Sequence, residues 1–222
     1  FRCNVRDAIN ASDWSKLNSS HNLVHDINYR QYGVTFVENH DTEYRSSTSQ
    51  QDPIRRDTLA ANAYLLAMPG TPCVFYKHYL AYPAEIKAMI EARKVAGVKN
   101  TSEYTNYRST AAYYANIVTG TKGNLLVAVG SGFPEPSPYY YIKILSGYHY
   151  AYYLTPSTEV AFADKPSGDY FTSFSTTLTA VSATAGAQLV YTTDGTAPTA
   201  THGTVVASGT KVDITTTTTL NV

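Results

Sequence analysis

The chain has 222 residues, 43% of them hydrophobic, and its seventeen basic and seventeen acidic side chains cancel. That length and hydrophobic share exclude a disordered chain and leave room for one large or two small domains. Zero net charge removes the global field that would recruit nucleic acid or an anionic membrane, so the expected partner is neutral.

Two cysteines, Cys3 and Cys73, lie too far apart for a metal knuckle, and Cys73, inside an apolar run, is expected as a buried free thiol. No apolar run approaches the roughly 18 residues of a membrane span. The chain begins Phe1-Arg2-Cys3, without an initiator methionine, and no signal peptide is expected within it.

Residues 4–17 predict a helix, with Val5, Ala8, Ile9 and Leu17 near one face and Ser12-Asp13 interrupting it before Trp14. Asn18-Ser19-Ser20-His21-Asn22 is a turn cluster, and residues 28–33 lead into a strand. That strand, Val34-Thr35-Phe36-Val37, is β-branched and aromatic, and Glu38-Asn39-His40-Asp41 follows it without a break. After a loop, Asp52-Pro53 predicts an N-cap with proline at the first helical position. Ile54, Thr58, Ala61, Leu65 and Met68 then recur at helical spacing until Pro69-Gly70.

A second strand is predicted at 72–76, and Tyr82-Pro83 opens a helix whose Ile86, Met89, Ile90 and Arg93 share a face, with Gly97 at C′. Strand, loop, helix and strand at this spacing form a parallel crossover unit. In parallel α/β folds ligands sit beyond the carboxyl ends of the strands, so Glu38 to Asp41 stand where a site would be.

Near residue 100 alternation replaces helical spacing. Residues 111–118 and 125–130 predict one hairpin around the 120–124 turn, and 138–146 and 148–154 predict another around Gly147. From residue 166 the chain is rich in Thr, Ser, Ala and Gly, with candidate strands at 177–182, 188–193, 204–207 and 211–215. Asp194-Gly195-Thr196-Ala197-Pro198 is a turn between them. The fold class is therefore α/β followed by all-β, divided as 1–100, 101–165 and 166–222.

Phe36-Val37-Glu38-Asn39-His40-Asp41 resembles the seventh-strand motif of the α-amylase superfamily of glycoside hydrolases, an aromatic residue, two variable positions, then Asn-His-Asp. Gly70-Thr71-Pro72-Cys73-Val74-Phe75-Tyr76 resembles the eighth-strand pattern, and Phe75 to Tyr79 looks most like plant-type α-amylases and their bacterial relatives. The resemblance implies a partial (β/α)8 TIM barrel at residues 1–100, holding its last two strands and their helices. An antiparallel β-sheet C-terminal domain would follow at 101–165. Residues 166–222 resemble a small β-sandwich module, chitobiase-C-terminal-like or starch-binding-like, cut short at Leu220-Asn221-Val222. A closed barrel needs eight strands, so the chain is expected to be the C-terminal part of a larger enzyme.

By the same resemblance Asp41 is the third carboxylate that the superfamily adds to the two of a retaining glycosidase. It would hold sugar hydroxyls beside the scissile bond and favour an oxocarbenium-like transition state. His40 would hydrogen-bond the same sugar, while Asn39 would order the loop at the substrate. The nucleophile, the general acid, their supporting arginine and the calcium ligands of the family lie on earlier strands. No cofactor is therefore expected in this chain, with calcium left to the parent enzyme.

The implied partner is an α-glucan, the implied location is extracytoplasmic, and the chain alone is not expected to hydrolyse starch. Tyr44, Arg45, His78 and Tyr79 are candidate cleft residues, against ordinary loop packing. The tyrosines at 139–141 and 148–153, and Tyr191, face a choice between stacking on sugar and packing in a core. A reading from a different class is a non-catalytic carbohydrate-binding or scaffold module.

Overall fold

Helix α1 (Arg2–Ala11) buries Val5, Ala8 and Ile9, and it ends where Ser12 adopts the left-handed conformation, φ 54°. The computed structural model in which this is seen describes residues 1–19 and 22–222, so Ser20 and His21 of the turn cluster lie outside the described residues. The Ser12-Asp13 interruption is a true break. Asp13 caps a separate 3₁₀ turn, Trp14–Leu17, by accepting the Ser15 N–H at 3.1 Å. The Trp14 N–H leaves the helical path altogether and donates to Ala111 O at 2.9 Å.

Strand β1 (Val34–Thr35) pairs in parallel with β4 (Thr71–Pro72), in the register Val34 to Thr71 and Thr35 to Pro72. Between them lie a small hairpin, β2 (Tyr44–Ser46) with β3 (Ser49–Gln50), and helix α2 (Thr58–Ala67). The parallel crossover is present, but both strands are shorter than their sequence runs. No third strand joins this pair among the described residues, so nothing extends the ladder past Thr35. Tyr76, expected as the end of a strand, instead starts helix α3 (Tyr76–Ala81). Cys73 is exposed, which corrects the expected buried thiol: an apolar run buries its residues only where a second layer or strand covers them.

Helix α2 begins at Thr58, not at Pro53. The carboxylate of Asp52 pairs with Arg6, and Asp57, at φ 57°, holds the N-cap position without a side-chain cap bond. Every residue from Ala60 to Ala67 is buried, so the single face read from the spacing understates the helix. A helix that is apolar all round belongs in the interior. Here α2 packs between helix α4 (Pro83–Ala96) and the large sheet described next. Helix α4 matches its prediction, with Pro83 in the first turn and Gly97 at φ 74° after the last. A Cβ on Gly97 would lie 2.3 Å from Thr121 Oγ1, so both conformation and space require glycine.

The large sheet has the order β5 (Tyr104–Ser109), β6 (Tyr113–Thr119), β7 (Asn124–Gly130), β9 (Tyr150–Leu154), β8 (Ile142–Gly147), antiparallel throughout. Strand β9 lies between β7 and β8 and buries both faces. Tyr152 turns to α2, its hydroxyl donating to Ala63 O, while Tyr153 packs with Ala115, Leu126 and Ala128 on the other side. The tyrosine run at 148–153 is thus mainly core, with Tyr148 exposed.

The last unit pairs β10 (Val160–Ala163), β11 (Phe174–Val181) and β14 (Thr210–Ile214), with β12 (Gln188–Tyr191) paired to β13 (Thr204–Ala207). Leu178, Leu189 and Val212 form its core, and Tyr191 packs against them. The strands predicted after residue 166 are all present. Strand β10, which precedes that expected boundary, belongs to this sheet as well, because its partner is β11.

Candidate functional site

The residues after β1 form a tight turn built by Asn39. Its side-chain Oδ1 accepts the Asp41 N–H at 3.0 Å and the Thr42 hydroxyl at 3.1 Å. Its carbonyl accepts the Thr42 and Glu43 N–H groups at 3.1 and 3.0 Å. An asparagine that satisfies the backbone in this way holds the turn without help from a longer element. The turn leaves the side chains of His40 and Asp41 76% and 75% exposed, with His40 Nε2 3.5 Å from Asp41 Oδ1. Arg45 closes the loop from the far side by donating to His40 O.

Two carboxylates fasten this loop to α3. Glu38 is buried: its Oε1 accepts the Ile54 N–H at 2.9 Å and its Oε2 lies 3.1 Å from His78 Nε2. His78 Nδ1 in turn lies 3.1 Å from Asn62 Nδ2, whose other hydrogen goes to Thr58 O at 2.8 Å. Because the amide donates at both contacts, the imidazole accepts at Nδ1 and donates its N–H from Nε2 to Glu38. Asn62 Oδ1 stays buried with no partner among the described residues. His78 is therefore interior, which corrects its place among the candidate cleft residues: the carboxylate and the amide hold it beneath the loop.

One residue earlier, Lys77 meets Glu43, which also lies 3.5 Å from Arg45 Nε. The hydrogen bond from Lys77 holds the Glu43 carboxyl below its ordinary value of 4.5. A depressed carboxyl contributes in full above that ordinary value and loses the contribution as pH falls below it and through the lowered folded value. Stability should therefore drop below about pH 4.5, and Lys77→Met should flatten that acid limb. Urea midpoints of both proteins between about pH 6 and about pH 3 check this, and identical limbs would refute it.

Asn39, His40, Asp41, Glu43, Arg45 and Lys77 thus come together at the carboxyl end of β1. Tyr79 packs against the core and Tyr44 is exposed on β2. Asp52 and Asp57 do not join them, since Asp52 pairs with Arg6 and Asp57 with His149 Nδ1 at 2.7 Å. Sequence reasoning missed the Glu38–His78–Asn62 chain, whose first link spans 40 residues and follows no short motif. Among the described residues no group of three or more His, Cys, Asp or Glu is placed to hold a metal ion. No helix among them is long and apolar enough to cross a membrane.

No protein-family model matches the chain. Over 120 residues it is 33% identical to the glucan 1,4-α-maltotetraohydrolase of Roseateles saccharophilus, covering 50% of this chain and 21% of that one. Over 90 residues it is 34% identical to the α-amylase type B isozyme of Hordeum vulgare, covering 39% and 57%. The chain is similar to a C-terminal portion of an α-amylase superfamily enzyme. This α-amylase-like chain spans 21% of the length of the two maltotetraohydrolases it matches. Among solved structures it has a TM-score of 0.46 at 19% identity with a cyclomaltodextrin glucanotransferase of three-domain ABC distribution, covering 59% of this chain and 31% of that one. With the γ-CGTase of alkalophilic Bacillus clarkii the TM-score is 0.44 at 14% identity, covering 94% and 40%.

Proposed function

We propose that the chain is part of a retaining glycoside hydrolase of α-amylase type that cleaves α-1,4-glucosidic bonds in starch or glycogen. The observation that carries this reading is the exposed His40-Asp41 pair, on a turn hydrogen-bonded by Asn39 at the carboxyl end of a parallel strand. An exposed carboxylate on an ordered turn can accept two sugar hydroxyls at once. As positive charge develops on the ring, the fixed negative charge of Asp41 stabilises it more than it stabilises the ground state. His40 hydrogen-bonds the same sugar, and Asn39 fixes the turn through the bonds described above. The nucleophile and the general acid are supplied by polypeptide outside these residues, from the earlier strands of a (β/α)8 barrel of which β1 and β4 are the last two. The five-stranded sheet serves as the C-terminal domain and the last unit as an appended β module. The parent enzyme works outside the cytoplasm.

The purified 222-residue chain should release no reducing ends from soluble starch above an Asp41→Asn control. In a chain extended upstream through the missing strands, Asp41→Asn should lower kcat by about 10²- to 10³-fold. Because the side chain is exposed, the melting temperature should not move. Hydrolysis by the 222-residue chain itself, above its control, would overturn this division of the site.

The last unit has its own core, which favours a second reading as a separable carbohydrate-binding module. Starch-affinity electrophoresis separates the two. Retardation that survives Asp41→Asn but disappears without residues 166–222 would assign the binding to the module.

A further inference from the structure

We propose that a cleft beneath the loop leading into β1 binds a small oxyanion, a carboxylate or a phosphate. The cleft has a volume of about 220 Å³ and is lined by Leu17, Asn18, His25, Arg30, Tyr104 and Tyr114 among others, none of them acidic. It lies between the 3₁₀ turn Trp14–Leu17, the segment before β1, the edge strand β5 and its neighbour β6. Nothing in the proposed hydrolase chemistry uses it.

Arg30 decides what the cleft would hold. The residue is only 6% exposed, and a buried guanidinium ordinarily has a carboxylate partner. Here Nε donates to Val24 O at 2.7 Å and Nη1 to Ser102 O at 2.8 Å, and the Tyr104 ring lies 5.3 Å from the guanidinium carbon. Carbonyl dipoles and a ring face soften the charge without cancelling it. No carboxylate among the described residues forms an ion pair with Arg30. A guanidinium has five N–H donors, and these two bonds leave Nη2 without a hydrogen-bond partner among the described residues. Arg30 is itself one of the residues that line the cleft.

Arg30 is the only arginine or lysine side chain lining the cleft. The Tyr104 hydroxyl lies 3.1 Å from His25 Nδ1, and burial holds the Tyr104 phenol above its ordinary value, so it remains an uncharged hydroxyl. A water occupies about 30 Å³, so the space takes a phosphate or acetate with a few waters. A neutral sugar would leave the guanidinium charge uncompensated. An oxyanion would compensate it and use the planar donor fork directly. Once bound it would tie the segment before β1 to β5.

The test is calorimetric titration of the full 222-residue chain with inorganic phosphate and, separately, with acetate, at constant ionic strength in sodium chloride. Saturable one-site binding with a raised melting temperature is expected for at least one of the two. Tighter phosphate would assign a phosphate-bearing ligand and tighter acetate a carboxylate. Arg30→Gln should abolish the binding, but it also removes two carbonyl contacts and risks the fold. Asn18→Asp keeps Arg30 and supplies an internal carboxylate at the cleft. It should weaken binding by at least about tenfold while leaving the melting temperature equal or higher. No saturable heat with either anion, or equal affinity in Asn18→Asp and the parent chain, would overturn the site. So would Arg30-dependent binding of glucose in place of both anions.

Discussion

Replacing His78 with alanine should destabilise the chain by about 3 kcal/mol, because it leaves the Glu38 carboxylate buried without its ring partner. The same change removes an acceptor from Asn62, an amide whose Oδ1 is already without a partner among the described residues, so a second buried polar group loses its bond. Glu38→Gln is the informative control. A glutamine keeps an acceptor for the imidazole N–H and removes the buried charge, so it should cost about 1 kcal/mol. Urea unfolding followed by the fluorescence of Trp14, the single tryptophan, reports on the same core. Equal, small losses in the two variants would show that the Glu38–His78 pair does not hold the loop. A large loss in His78→Ala should also broaden the resonances of the 38–43 loop, since both clamps on α3 adjoin one another.

Arg93→Ala should cost a comparable amount, about 3 kcal/mol, for a different reason. Arg93 reaches from α4 to the end of α2 and donates to Leu66 O at 2.8 Å, Met68 O at 2.6 Å and Gly70 O at 3.1 Å. The last carbonyls of a helix have no intrahelical donor and carry the negative end of its dipole. One guanidinium answers the Leu66 carbonyl of the last turn, the C-cap carbonyl of Met68 and the Gly70 carbonyl just beyond, in a partly buried place. Burial lowers the guanidinium's hold on its proton, with Tyr152 opposing the effect. Lysine would supply the charge but not the fork, so Arg93→Lys should recover less than half of the loss. Full recovery with lysine would mean that charge alone, and not the placement of the donors, matters there. The urea midpoint is the measurement, with Trp14 fluorescence as its signal.

The legible features were those carried by short spacing. Proline at 83 and glycine at 97 bound α4 because each residue acts through its own backbone, and both positions agree with the coordinates. The hairpins of the large sheet are close to their predicted positions because alternation, turn and alternation all lie within a few residues of each other. The two ends of α2 illustrate the limit. Its stop at Pro69-Gly70 is local, whereas its start lies at Asp57 and not at Asp52, whose carboxylate pairs with Arg6 of α1. Asp57 holds the N-cap position without a side-chain cap bond, its carboxylate turned to His149.

The sequence by itself determined the crossover around residue 34, the helix at 83–96 and the place of Asn39, His40 and Asp41 at the end of the first strand, because a strand, a turn and a helix each obey rules that act over a few residues. Only the tertiary structure decided which of the nearby ionisable groups face water and which lie within. Glu38 and His78 are 40 positions apart, and neither has a neighbour that announces the other. Arg30 looks like any loop arginine until folding closes β5 over it. Burial of a charge depends on what distant chain segments cover, and that coverage is a property of the packed molecule, not of any window of residues.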